Sequence, residues 1–170
     1  QEEPEEDSNR QSDSGVSNFE YMMLVNKDNP VDSSFEPEDM LNIADYVSTT
    51  KNSVYMEKKA ADAYINMVQA MESDGIYDIA AVSGFRDYDY QSRIHNAEVN
   101  KQSNYYSLEE AKRQAARVVA APGTSEHQLG LAIDISSSEV GYSLSSRFDT
   151  TTGYSWLSEH AHEHGFILRY

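Results

Sequence analysis

The sequence predicts an α+β domain, a small and mainly antiparallel sheet flanked by helices, and three observations carry that expectation. Ala61, Tyr64, Ile65, Val68 and Met71, preceded by Val54, recur at three- and four-residue steps, the period of a helix with one apolar face. Farther along, Leu129, Leu131, Ile133 and Ile135 alternate with Gly130, Ala132 and Asp134, the period-2 pattern of a half-buried strand. Helical signals come first and extended signals gather around residues 125–135, an order that suits α+β better than repeated βαβ units.

Each element follows in order. Residues 1–18 are rich in Glu, Asp and Ser with Val16 as their only large aliphatic, so they cannot bury enough apolar surface to offset chain entropy. They are expected to form a solvated acidic leader, with one folded domain over 19–170. The helix around residues 54–71 can stop at Gly75. Ile79, Ala81 and Val82 lead into Ser83-Gly84 as a short buried strand ending in a turn. The polar stretch from Tyr88 to about Gln102 reads as helical despite poor periodicity. Ser107-Leu108-Glu109-Glu110 has the capping-box pattern, with Leu108, Ala111, Ala115, Val118 and Val119 following on one face. Ala121-Pro122-Gly123 ends that helix and leads to a turn containing His127. Ser136 to Ser146 reads as a Ser-rich surface loop. A last helix spans about Trp156 to His164, stopped by Gly165, and Phe166-Ile167-Leu168 reads as a strand.

Composition narrows the function. The net charge of -16 argues against nucleic acid, because phosphate binding needs clustered Lys and Arg. Residues 1–40 hold twelve carboxylates against Arg10 and Lys27, so most of the net charge lies in the first forty residues rather than at a site. The absence of Cys removes disulfides, Cys-based zinc sites and cysteine nucleophiles together. No apolar run in these residues is long enough to cross a membrane.

The candidate site lies where turn and strand meet. Period-2 alternation sends Asp134 to the face opposite the branched aliphatics, and His127, in the preceding turn, can fold back toward it. Zinc accepts imidazole nitrogen and carboxylate oxygen, and a catalytic site needs three protein ligands with one open position. Two of the three are visible here. A solvated His in a surface turn beside a strand-end Asp is the competing reading of the same pair.

The flanking residues decide between them. Ser125-x-His127-x-x-Gly130-x-Ala132-x-Asp134 resembles the metal-binding motif of the VanY-like zinc D-alanyl-D-alanine carboxypeptidases. Leu24-Val25-Asn26-Lys27-Asp28-Asn29-Pro30 resembles the first segment of that family. Ser83-Gly84-Phe85-Arg86-Asp87-Tyr88-Asp89-Tyr90-Gln91 resembles its Ser-Gly-aromatic-Arg-Ser-x-x-x-Gln stretch, with Asp87 where Ser is usual. Trp156-Leu157, Glu159, Ala161, His162 and Gly165-Phe166-Ile167-Leu168-Arg169-Tyr170 complete the likeness, in the family's order.

The resemblance implies zinc as cofactor, His127 and Asp134 as metal ligands, and Arg86 as the catalytic guanidinium that polarises a scissile carbonyl and holds the developing oxyanion. It implies Gln91 and Ser125 as polar contacts to a peptide, the C-terminal D-Ala of a peptidoglycan stem peptide as substrate, and an extracytoplasmic location. In the family a Glu-x-Trp-His segment follows Gly-Phe-Ile-x-Arg-Tyr and supplies the general base and third ligand. Tyr170 precedes that point. The chain is therefore expected to be incomplete at its C-terminus, or else to have lost catalysis and serve as a zinc-bearing cell-wall binding domain. A first residue without an initiator Met or signal core predicts that residues also precede Gln1. Local substitutes for the missing groups are weaker. Glu159 and His162 share a helical face, and His160-Ala161-His162-Glu163-His164 fits the H-x-x-E-H pattern, but the resemblance puts these residues on a scaffold helix. A surface domain without metal is the remaining class.

Overall fold

The structure, a computed structural model, describes residues 23–169. The acidic leader and Tyr170 lie outside the described residues. In chain order the elements are β1 (Met40–Asn42), β2 (Tyr55–Glu57), α1 (Lys58–Ser73), β3 (Ile79–Ser83), α2 (Tyr88–Gln102), α3 (Leu108–Ala115), β4 (Asp134–Ser137) and α4 (Thr152–His160). The architecture is α+β, as the sequence predicts, but the strands form two separate antiparallel pairs, β1 with β2 and β3 with β4.

The long amphipathic helix organises the core. Glu57 caps α1, its side chain accepting from Ala60 N, and Gly75 follows the helix end at φ 85°. Val54, placed by sequence on the same apolar face, instead lies before β2. Ala61, Tyr64, Ile65, Val68 and Met71 pack with Ile43, Val54, Met56, Ile79, Ala81 and Trp156 in the main core cluster. Trp156 adds a polar tie, its indole N–H donating to Asp74 Oδ2 at 2.7 Å.

Four local expectations need correction. The strand expected over 129–135 begins only at Asp134, because Glu126–Leu129 winds into a 3-10 turn that Gly130 closes in the left-handed region, φ 70°. A side chain at 130 would also strike Glu57 N, 2.8 Å from an ideal Cβ. On α3 only Ala111 and Ala115 are buried, while Leu108 and Val118 are exposed, and Ser107 makes no side-chain capping bond. Within the expected Ser-rich loop, Ser136 and Ser137 are fully buried in β4, where Ser136 Oγ donates to Ser143 O and Ser137 Oγ to Asp78. Residues 166–168 form no strand. Phe166 packs edge-on against Tyr64, and Ile167 and Leu168 face solvent.

Candidate metal and peptide site

The site is assembled where β3 ends and β4 begins. Strand β3 pairs with β4 through Ile79 and Ser137, Ala80 and Ser136, and Ala81 and Ile135. Register then shifts so that Ser83 opposes Asp134, leaving Val82 as a bulge. Bulges bend a strand and re-aim the residues beyond it. The chain leaves β3 through Gly84, Phe85 and Arg86, alongside the 3-10 turn that carries His127.

Main-chain groups hold the imidazole. His127 Nδ1 lies 2.7 Å from Gly84 O, and Arg86 N donates to His127 O at 3.1 Å. A carbonyl only accepts, so Nδ1 carries the proton and Nε2 is the nitrogen left to act. That nitrogen sits 3.5 Å from Asp134 Oδ1. Two ligands about 2 Å from a tetrahedral zinc lie roughly 3.3 Å apart, so this separation suits a shared ion. An outer-sphere carbonyl on the far ring nitrogen is the usual support for a metal-binding His. Gly84 is needed for that carbonyl to be there, because an ideal Cβ on it would fall 2.3 Å from Tyr55 O.

Charge completes the pocket. Arg86 places Nη1 4.0 Å from Asp134 Oδ2, and its Nε is buried with no hydrogen-bond partner among the described residues. Burial lowers the Arg86 pKa, against the opposing pull of Asp134 and Tyr90. For Asp134, burial works to raise the carboxyl, but His127 when its imidazole is fully protonated, together with the charges of Arg86 and Lys51, outweighs it, so its pKa lies below the ordinary value. A cavity of about 390 Å³ opens beside Arg86, lined in part by Lys51, Tyr55, Gly84, Asp87 and Tyr90. Its size suits a short peptide end.

The other expected site residues fall differently. Ser125 is buried at the start of the 3-10 turn, next to His127 in the fold as in the sequence. Gln91 is 1% exposed, its Nε2 donating to Ala120 O at 2.7 Å and its Oε1 left without a partner. Asp87, the departure from the resembled pattern, caps α2 by accepting from Tyr90 N at 2.6 Å, a role Ser can also fill. No group of three His, Asp or Glu side chains that could hold a metal occurs among the described residues. Glu159, His160, His162 and His164 therefore join no such group. His160 instead stacks on Trp156, with ring centroids 4.9 Å apart.

Comparison with known proteins supplies the family. Residues 53–170 match the VanY D-alanyl-D-alanine carboxypeptidase family. The chain belongs to the VanY family. This VanY domain is 39% identical to the Bacillus subtilis protein YodJ over 152 residues, covering 88% of this chain and 52% of YodJ. It is 32% identical to an Enterococcus faecalis D-alanyl-D-alanine carboxypeptidase, covering 88% of this chain and 50% of that protein. The chain thus spans about half the length of the curated relatives it matches. Among solved structures, the LdcB LD-carboxypeptidase superposes with a TM-score of 0.74 at 39% identity, over 86% of this chain and 65% of that one. VanYB in complex with D-alanine-D-alanine gives 0.67 at 30% identity, over 88% and 75%. A mutant of the vancomycin-resistance D,D-pentapeptidase VanY, in complex with Zn(II), gives 0.67 at 30% identity, over 89% and 77%.

Sequence reasoning missed two residues that the structure brings to the candidate site. Gly84 supplies its carbonyl, a role hidden because it depends on Tyr55, far away in sequence. Lys51 carried no motif at all.

Proposed function

We propose that this VanY domain belongs to a zinc-dependent carboxypeptidase that removes the C-terminal D-alanine of peptidoglycan stem peptides, acting outside the cytoplasmic membrane. The observation that carries the reading is the convergence of His127 Nε2 and Asp134 Oδ1 to 3.5 Å, with the imidazole locked from behind by Gly84 O. The relatives that act on or bind D-alanyl-D-alanine support the substrate class.

His127 and Asp134 would hold the metal, and the donor set suits zinc. When bound, the ion supplies Lewis-acid polarisation of the scissile carbonyl and acidifies water. The chain's own residues do the rest. The Gly84 carbonyl keeps the Nδ1 proton in place, so the imidazole presents its lone pair at Nε2. Asp134 contributes a carboxylate whose charged form the neighbouring Arg86 guanidinium favours. Arg86, poised at the cavity and half-desolvated, is placed to take up negative charge developing on the carbonyl oxygen. Ser125 and Gln91, both buried, would act by shaping the walls around the peptide.

The test pairs metal analysis with hydrolysis. Purified protein, extended to the length of its relatives, is expected to hold zinc and to release D-alanine from a pentapeptide ending in D-Ala-D-Ala. His127→Ala is expected to lose both. Equal near-zero zinc in wild type and variant would refute the metal reading. Zinc without release of D-alanine would instead favour a cell-wall binding domain without catalysis.

A further inference from the structure

The turn that carries His127 makes few apolar contacts. Of residues 126–129 only Leu129 is a buried hydrophobic, and it belongs to neither core cluster. The position of the turn therefore rests largely on hydrogen bonds. Gln128 supplies those that reach farthest along the chain. Its side chain is fully buried, and Nε2 donates to Asp32 O at 3.1 Å and to Phe35 O at 3.4 Å, across 96 and 93 residues. Two carbonyl acceptors fix the orientation of the amide, because the opposite flip would set oxygen against oxygen. Its Oε1 is then left without a partner among the described residues. A buried acceptor without a partner costs stability, and an apolar side chain of the same shape would avoid that cost. An amide at this position points to a use for the two bonds it donates.

The arm that accepts them meets the turn at other points. Val31 N donates to Gly123 O at 2.8 Å, and an ideal Cβ on Gly123 would fall 2.9 Å from Val31 O. An ideal Cβ on Gly130 would lie 3.3 Å from Pro37 Cγ. Residues 31–37 thus run alongside 123–130. Asp32 gives the arm its shape, with Oδ1 accepting from Ser34 N at 2.9 Å and from Ser34 Oγ at 2.6 Å, while Phe35 N donates to Asp32 O at 3.1 Å. That turn brings the carbonyls of Asp32 and Phe35 within reach of one amide.

We propose that Gln128 is a positioning residue for the metal site: by fastening the turn to residues 32–35 it holds His127 where Gly84 O accepts from Nδ1, which leaves Nε2 free for the ion. The consequence for zinc rests on the reading above, whereas the aim of the imidazole shows itself in the metal-free protein. Gln128 touches neither ion nor peptide. It acts through the backbone of its neighbour.

Gln128→Met keeps a side chain of similar length and removes the donor. In metal-free protein, at a pH where the imidazole is neutral, nitrogen NMR of the His127 ring is expected to show the Nδ1-protonated tautomer in wild type and a mixture of tautomers in Gln128→Met. Zinc affinity of the protein extended to the length of its relatives, measured by dye competition, should fall about tenfold, the lower end of the loss for an outer-sphere partner. Ile65→Val, which removes one methylene from the α1 core, controls for stability. It should lower the urea midpoint and leave tautomer and affinity as in wild type. Should Gln128→Met fail to fold, Asp32→Ala decides, because Asp32 is exposed and its side chain orders the arm. That variant is expected to shift the tautomer and the affinity in the same direction, and Asp32→Asn, whose amide oxygen still accepts from Ser34, to restore both. An unchanged tautomer, a zinc affinity within about twofold of wild type, or an Ile65→Val protein that loses as much overturns the assignment. A wild type that binds no zinc, beside a Gln128→Met protein with mixed tautomers, would refute the metal reading and leave Gln128 as the residue that aims His127.

Discussion

Arg169 reaches across 43 residues to grip Glu126 with two nitrogens, Nε to Oε2 at 3.2 Å and Nη2 to Oε1 at 2.9 Å. Glu126 is the residue immediately before His127, so the fork ties the Gly-Phe-Ile-Leu-Arg segment to the turn that bears the candidate ligand. Both side chains are partly exposed, which limits the contribution of the pair to stability to about 0.2–1 kcal/mol.

Its effect should therefore appear in coupling rather than in folding. Glu126→Gln and Arg169→Gln are each expected to lower stability by less than about 1 kcal/mol, and the double variant by less than the sum of the two. The coupling should shrink in high salt. A double-mutant cycle by urea denaturation measures it, and strict additivity would show that the fork is only a contact.

Gly84→Ala tests the close approach of two backbones. A Cβ 2.3 Å from Tyr55 O forces movement of the carbonyl that orients His127. Overpacking of this kind costs about 1–3 kcal/mol, and loss of an outer-sphere partner weakens metal affinity roughly 10–100-fold. Competition with a zinc-responsive dye reads the second effect directly. Unchanged zinc affinity would mean that the imidazole orients itself without Gly84.

Asp134 predicts a pH dependence with a definite sign. Its folded-state pKa lies below the unfolded value, so its contribution to stability is fully present above the unfolded pKa, near 4. The contribution disappears as the pH falls through the lower folded value. Metal-free wild type should thus lose stability more steeply below about pH 4 than Asp134→Asn. Parallel slopes in urea titrations between pH 5 and 2 would remove the carboxyl from that account. The same variant should keep the wild-type circular dichroism while losing zinc, because Asp134 opens the strand and supports no core contact of its own.

Asp87 should behave as a cap. Asp87→Ala is expected to cost about 1 kcal/mol and Asp87→Ser to recover most of it, since either side-chain oxygen can accept from Tyr90 N. Thermal denaturation of the three proteins checks the order. A Ser variant as weak as the Ala variant would show that the carboxylate acts through charge rather than geometry.

Tyr64 carries a buried hydroxyl with no partner among the described residues, and burial pushes its pKa upward. Tyr64→Phe is therefore expected to be neutral or mildly stabilising, because it removes an unsatisfied polar atom while keeping the ring against Phe166. A loss above about 1 kcal/mol would reveal a partner for the hydroxyl.

Periodicity made α1 legible, since an amphipathic helix announces itself through side chains that repeat along one chain, whereas α2 reads as helical in spite of poor periodicity. The short run of Ile79 to Val82 announced β3 in the same way, and its neighbour Gly84 announced the turn. Alternation misled at Leu129 to Ile133, where a left-handed Gly130 and a 3-10 turn override a pattern that a strand would also satisfy. Ser136 and Ser137 looked like loop residues because polarity says nothing of hydroxyls satisfied inside a sheet. The site was half visible. His127, Asp134 and Arg86 sit in motifs, whereas the Gly84 carbonyl acquires meaning only from its contact with a distant segment.

The imidazole of His127 is aimed by a peptide carbonyl, that of Gly84, while the Arg86 N–H holds the main-chain carbonyl of His127 itself. Its aim therefore depends on the backbone at Gly84 staying in place, while Lys51, Arg86 and Tyr90 line the cavity with side chains that take no part in that bond. The side chains around the cavity can thus change while the bond between Gly84 and His127 persists.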